Sequence, residues 1–209
     1  MPLDKFVETF GYLGVFFLVF AMNVVPAFMP PTWIVLATFH SLYPDHFNPI
    51  LLALTGAFAS TFGRVLLCRI GGASRRLMGE DRKRSMDRVG RSLKSNRYGG
   101  FLLSFVFAVS PLPSNVYFLT VGMTKSQSFR VFLGFWLGRV ISYWAMISLT
   151  HVAYESLEGS MTSKLQTVII IDSVGVLCMV LFALVDWEKL LQERRLVFIK
   201  PKLGFSKKS

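Results

Sequence analysis

The chain has 209 residues, a mean hydropathy of +0.50, 53% hydrophobic residues and only 17% charged residues, a composition of membrane proteins rather than of water-soluble domains. A soluble domain of this size needs charged faces on most of its helices, whereas 99–122 and 163–185 are nearly free of charge. The net charge of +11 does not point to nucleic acid: of the 23 Lys and Arg, ten lie between Arg69 and Arg97 and seven between Lys189 and Lys208, and both runs abut apolar segments.

The N-terminus carries Asp4, Lys5 and Glu8, and the apolar run after Phe10 passes into prolines without a small-x-small cleavage site, so a removable signal peptide is not expected. Five apolar stretches follow, at 10–39, 49–70, 99–121, 129–152 and 165–185. The first is broken by Pro26, Pro30 and Pro31, and the third by Pro111 and Pro113. Prolines remove backbone donors and push the preceding residue out of the helical region, so neither stretch is one straight helix. Non-helical backbone at membrane depth survives only where it is buried in protein or lines a wet cavity. The predicted fold is therefore an all-α integral membrane protein with three transmembrane helices, two proline-broken re-entrant helical hairpins at about 10–45 and 99–125, and one amphipathic surface helix.

Charge orients this arrangement. With the basic loop 69–97 on the cytoplasmic side of the cell membrane, the third stretch dips in and returns, the fourth crosses out and the fifth crosses back. The basic tail, 188–209, then also lies in the cytoplasm; counting the third stretch as a full span places it on the opposite side, against the charge rule. Within the loop, Met78, Met86, Val89 and Leu93 share roughly one helical face, which predicts a helix lying on the membrane surface. A solvated charged loop is the alternative. Residues 1–187 read as a single membrane domain.

Ionisable groups at membrane depth are costly and each needs a reason. Arg139 stands well inside the fourth stretch. Arg64 stands six residues before the end of the second, where snorkelling to the surface competes with a site role. Two arginines facing one cavity suit a phosphate, because a guanidinium offers planar, bidentate donors and stays charged. A structural contact to hairpin carbonyls is the competing role for Arg139. Ser110, Ser114 and Asn115 flank the second break, and Asn23 and Thr32 the first; they satisfy freed backbone groups, hydrate a head-group path, or do both. Asp172, seven residues into the last stretch, is the acid placed deepest, suited to pairing with an arginine or carrying a proton, and equally to an interfacial position.

Catalytic and cofactor patterns are not found. Cys68 and Cys178 lack a CxxC or Cys/His partner pattern, His40, His46 and His151 form no HExxH, and no glycine-rich phosphate loop follows a strand pattern. No enzyme activity, metal or cofactor is expected. Expected partners are membrane lipids and anionic head groups; a homo-oligomer is compatible with the sequence, which contains Gly134-x-x-x-Gly138.

The order of parts resembles the DedA family, also called the SNARE-associated or VTT domain family, over about 11–153. The landmarks are Pro26-Ala-Phe-Met-Pro-Pro31, Gly56-Ala-Phe-Ala-Ser-Thr-Phe-Gly63, Arg69-Ile-Gly-Gly72, Phe107-Ala-Val-Ser-Pro-Leu-Pro-Ser114, Val121-Gly-Met-Thr-Lys125 and Gly138-Arg-Val-Ile-Ser-Tyr-Trp144. The resemblance implies two hairpins facing each other from opposite leaflets and the movement of phospholipid or polyprenyl phosphate head groups across the bilayer. It is nearest to a reduced, YqaA-like branch. Where proton-coupled members carry two acids about the first proline motif this chain has Asn23 and Thr32, and where they carry two arginines about the second it has Ala108 and Ser114. A transporter or scramblase of phosphate-bearing lipids is the expected function; a non-transporting scaffold that binds anionic lipid or a protein partner through its basic loop and tail is the alternative.

Overall fold

The protein is described from a computed structural model, in which residues 2–25, 31–81, 83–87, 98–110, 114–124, 126–158 and 164–184 are described. Pro26, Pro30, Pro111, Pro113, Val89, Leu93 and the tail 188–209 lie outside the described residues. Among the described residues the fold is all-helical: α1 (Pro2–Val24), α2 (Thr32–Leu42), α3 (Pro49–Ser74), a 3-10 turn (Arg75–Leu77), α4 (Gly99–Val109), α5 (Ser114–Met123), α6 (Phe129–Glu158) and α7 (Lys164–Leu184).

Local sequence explains several of these boundaries. Asn48 caps α3, its side chain accepting from Ile50 N at 2.9 Å and Leu51 N at 3.3 Å, and Pro49 occupies the first turn, where a missing amide hydrogen is no loss. Gly11 takes φ +46, ψ −129 and bends α1 into two runs, a conformation that side chains with a Cβ rarely adopt. The run after the bend, 12–24, is about 20 Å long at 1.5 Å per residue; α2, α4 and α5 are about 15–17 Å, and α3 and α6 are about 39 and 45 Å.

Three helices are long and apolar enough to cross a membrane: Asp4–Val24, Pro49–Leu77 and Phe129–Leu157. The second and fourth stretches were expected among them. The third such helix comes from the first stretch rather than the last, because α1 begins at Pro2, ahead of the apolar run, and continues to Val24 before the proline break. The last stretch forms α7, of which Gln166–Cys178 counts as a shorter apolar helix.

The long helices α3 and α6 run antiparallel, and each short pair folds back on itself beside them. The first pair starts and ends at the Tyr43 end of the molecule. There Asn48 N donates to Tyr12 Oη at 2.7 Å, Phe39 packs on Phe47, and His40 faces His151 of α6 with ring centroids 4.9 Å apart. Tyr43 Oη also donates to Asp4 at 2.7 Å, and that carboxylate pushes the phenol up to about 12. The break between α1 and α2 lies far from this end, beside Gly63 and Arg64 of α3. The second pair starts and ends at the opposite, Arg75 end: Gly100 lies against Val131, and Arg75 Nη1 donates to Met123 O at 2.7 Å. Its break lies beside Gly138, Arg139 and Ser142 of α6. The two helix–break–helix pairs thus start from opposite ends of α3 and α6, the flanks of the first break lying beside Gly63 and Arg64 and those of the second beside Gly138 and Arg139.

Glycines set the closeness of these seams. Gly71 and Gly122 hold α3 against α5: a Cβ on Gly71 would fall 2.5 Å from Leu119 O, and one on Gly122 would overlap the Cys68 carbonyl. Gly134 and Gly138 do the same for α6 on α4, against the carbonyls of Phe101 and Phe105. The Gly134-x-x-x-Gly138 pair therefore serves packing within the chain. The outward faces carry Leu13, Phe17, Phe58, Phe62, Trp144, Leu149, Val152, Ile169 and Leu177, all exposed.

The backbone contact at Gly122 leads to a stability prediction. Gly122→Ala forces α3 and α5 apart at the Cys68 carbonyl and lowers stability by about 1–3 kcal/mol. Gly72→Ala, whose Cβ meets only Gly122 O at an ordinary 3.6 Å, stays within about 0.5 kcal/mol of the parent. Melting temperatures of the two purified variants test the difference; equal losses refute the seam's role.

Candidate functional site between the hairpin breaks

The first break is closed by polar contacts rather than left open. Asn23, 2% exposed, donates through Nδ2 to Val19 O at 2.8 Å and to Thr32 Oγ1 at 3.2 Å, joining the end of α1 to the start of α2. Its carbonyl accepts from Arg64 Nη1 at 3.0 Å. Arg64 comes close to this carbonyl because Gly63 next to it has no side chain: a Cβ there would lie 2.7 Å from Asn23 Cβ. The snorkelling alternative for Arg64 does not hold, since the residue is 6% exposed and reaches inward to the break.

The second break carries the corresponding parts. Gly138 packs on Phe105 O and Ala108 Cβ, as Gly63 packs on Phe20 O and Asn23 Cβ. The next residue, Arg139, donates through Nη2 to Ser114 Oγ at 3.4 Å, and Ser142 Oγ donates to Ala108 O at 3.4 Å. The tripeptide Gly-Arg-Val thus recurs, at 63–65 and 138–140: each glycine packs on the first limb of its hairpin, while Arg64 bonds the first limb at Asn23 and Arg139 the start of the second at Ser114. That repeat is legible in the sequence but is not among the expectations above. Ser110 Oγ is buried without a partner, and Asn115, half-buried, occupies the second position of α5.

Between the breaks, α3 and α6 form one polar face. Tyr143, 1% exposed, donates to Ser60 Oγ at 3.3 Å, one turn before Arg64. The Arg139 guanidinium lies 5.1 Å from the centroid of Phe135 and 5.4 Å from that of Tyr143, cation–π distances that hold it against aromatic faces. Arg139 thus lies against the Tyr143 ring whose hydroxyl reaches Ser60, one turn before Arg64, so both arginines belong to this face. Neither has a carboxylate within ion-pair distance among the described residues, and the Nε of each is buried without a partner.

Asp172 stands apart from this pair. Its Oδ2 accepts from Thr38 Oγ1 at 3.0 Å, linking α7 to the far side of α2, and Oδ1 is buried without a partner. Of the roles open to Asp172, pairing with an arginine is not seen among the described residues; the partner found is the Thr38 hydroxyl. Among the described residues no group of three or more His, Cys, Asp or Glu is arranged to hold a metal ion. Pro31 precedes α2 with φ −56, ψ 127, the extended conformation expected at a break.

At the Arg75 end, Arg75 also donates from Nη2 to both oxygens of Asp87 at 2.8 Å, tying helical residues 83–87 of the basic segment to the end of α5. Of the four residues expected on one face of a surface helix, Met86 is helical and half-buried, Met78 is extended at the end of the 3-10 turn and so stands outside that helix, and Val89 and Leu93 lie outside the described residues.

Compared with protein-family models, with curated proteins and with solved structures, the chain matches none.

The two arginines differ in what they hold, which separates their variants. Arg64→Met strands a buried carbonyl at Asn23 and lowers stability by about 1–3 kcal/mol. Arg139→Leu loses one long hydrogen bond and a partly desolvated charge, so its melting temperature is similar or higher. Thermal melts of both purified proteins check this ordering, and the reverse order overturns it.

Proposed function

We propose that this chain is a membrane-embedded transporter or scramblase of phosphate-bearing lipids, with phospholipid or polyprenyl phosphate as the class of cargo. The observation that carries the reading is the pair of hairpin breaks that start from opposite ends of α3 and α6, with Asn23, Thr32, Ser110, Ser114 and Asn115 on their flanks. On this reading both hairpins are re-entrant, α3, α6 and α7 cross the bilayer, and the exposed apolar faces of these helices meet lipid. Limbs of about 15–20 Å reach roughly half way into a hydrocarbon core of about 30 Å. Polar breaks from opposite leaflets then form a hydrated step for a head group whose tails stay in lipid, as half-helix breaks serve solutes in transporters. The resemblance to the DedA family supports the same reading, although the positions of that family's acids and arginines are held here by Asn23, Thr32, Ala108 and Ser114. Transport on this proposal does not use those acids.

The scaffold reading is favoured by one observation, the tie of the basic segment 83–87 to the hairpin end through Arg75. A basic surface helix attracts anionic lipid without any transport.

Topology is the first test. Asp45 lies in the turn between α2 and α3 and Arg84 beyond the far end of α3, both exposed. In intact cells Asp45→Cys reacts with an impermeant external reagent, while Arg84→Cys and Lys202→Cys are both protected. Like reactivity at Asp45 and Arg84 refutes the crossing of α3, and labelling at Lys202 refutes the cytoplasmic tail.

Translocation is the second. The purified protein in liposomes moves a labelled phospholipid or polyprenyl phosphate between leaflets at a rate well above protein-free vesicles. Rates equal to empty vesicles for both cargo types, in protein shown to be folded, leave the scaffold reading in possession.

A further inference from the structure

Arg64 and Arg139 bring two charges to this face of α3 and α6 that stay positive at any physiological pH. One is nearly fully buried and the other half-buried, and no carboxylate approaches either among the described residues. Arg139 rests on the ring of Tyr143, whose hydroxyl reaches Ser60 one turn before Arg64, and like charges on one face destabilise each other where water is scarce; a buried donor without a partner adds to the penalty. Here two such donors, Arg64 Nε and Arg139 Nε, accompany a buried hydroxyl at Ser110 that also lacks a partner. The ten-residue helix α5 begins at Ser114, the residue Arg139 contacts, so the positive end of its dipole lies at the same place. Each unfavourable feature becomes favourable when an anion with several acceptor oxygens enters. Phosphate fits this description best, because its oxygens match the planar donor forks of guanidinium.

We propose that Arg64 and Arg139 hold one shared phosphate group, a single anion site that bridges the two hairpin breaks. Arg64 is fastened to the Asn23 carbonyl of the first hairpin and Arg139 to Ser114 of the second, so one ligand joins both halves of the fold. Two separate sites, one per arginine, leave the mutual repulsion in place and do not have this property. The inference deepens the transport reading and rests on it for the source of the ligand, whereas the site itself rests on the guanidiniums. A lipid phosphate and free inorganic phosphate present the same chemistry to it.

The test uses the full-length protein purified in a neutral detergent and melted against rising inorganic phosphate, with chloride holding ionic strength constant. The melting temperature rises saturably with phosphate, as binding to the folded state alone requires. Arg139→Lys keeps the charge but loses the fork, and its apparent affinity falls about tenfold. Arg139→Leu and Arg64→Met each abolish the rise, since one site needs both. Should Arg64→Met fail to fold, the two Arg139 variants decide the matter alone. A phosphate-dependent rise that persists in Arg139→Leu, or that chloride reproduces, overturns the shared site. Dioctanoyl phosphatidic acid competes with phosphate and dioctanoylglycerol does not. A saturable phosphate rise without competition by phosphatidic acid supports the anion site and refutes its lipid cargo, separating the two claims.

Discussion

Interrupted backbone in an apolar surrounding must find its hydrogen-bond partners inside the protein, and most of what is distinctive here answers that need. At the first break Asn23 is the hub: its amide group binds back to Val19 and across to Thr32, and its carbonyl takes Arg64. A side chain with two donors serves here, because the carbonyl of Val19 and the hydroxyl of Thr32 both accept from its Nδ2 while the backbone carbonyl of Asn23 accepts from Arg64. An aspartate at this position lacks the donors that reach Val19 and Thr32, so an amide suits the role. The guanidinium then supplies the donor that the carbonyl of Asn23 lacks.

Close approach is the second half of the same solution. An arginine reaches a break only if its helix lies nearly in contact with the hairpin limb, and Gly63 and Gly138 allow that by removing the intervening Cβ. Backbone carbonyls at Phe20 and Phe105 lie where those side chains would be. Small residues make such seams because packing between helices in lipid depends on contact rather than on exclusion of water. The same glycine-then-arginine order serves each hairpin from its own long helix, so the two halves are built alike though they enter from opposite ends.

Much of this plan was legible because proline clusters and charge runs act over short sequence distances. The breaks between α1 and α2 and between α4 and α5 followed from the bar that prolines place on helix, and the helical cores of α3 and α6 followed from unbroken apolar runs. The bend at Gly11 was not legible, since a lone glycine in an apolar run does not announce a positive φ, and it changed the first stretch into a long element whose second run forms the limb. For Arg64 the sequence leaves snorkelling and a site role both open, because distance along a helix says nothing of the hairpin that covers it; its 6% exposure goes with a bond to a limb about forty residues earlier in the chain. Asp172 was open to an arginine partner by sequence and found Thr38 instead, a pairing fixed by the crossing of α7 over α2 that no local pattern encodes.

That last pairing bears on the charge balance of the whole site. Asp172 is the carboxylate placed deepest, and a bond to either arginine would neutralise one of them and fill its free donor. Instead α7 crosses the outer side of α2, where Gly175 lets Trp33 pack closely and Thr38 takes the acid. Were the arginines purely structural, an acid beside them would stabilise the fold, since a buried charge left unpaired is strongly destabilising. With the acid bound to Thr38 and not to either arginine, no carboxylate neutralises the centre among the described residues, and on the proposed reading it is the ligand that brings the negative charge.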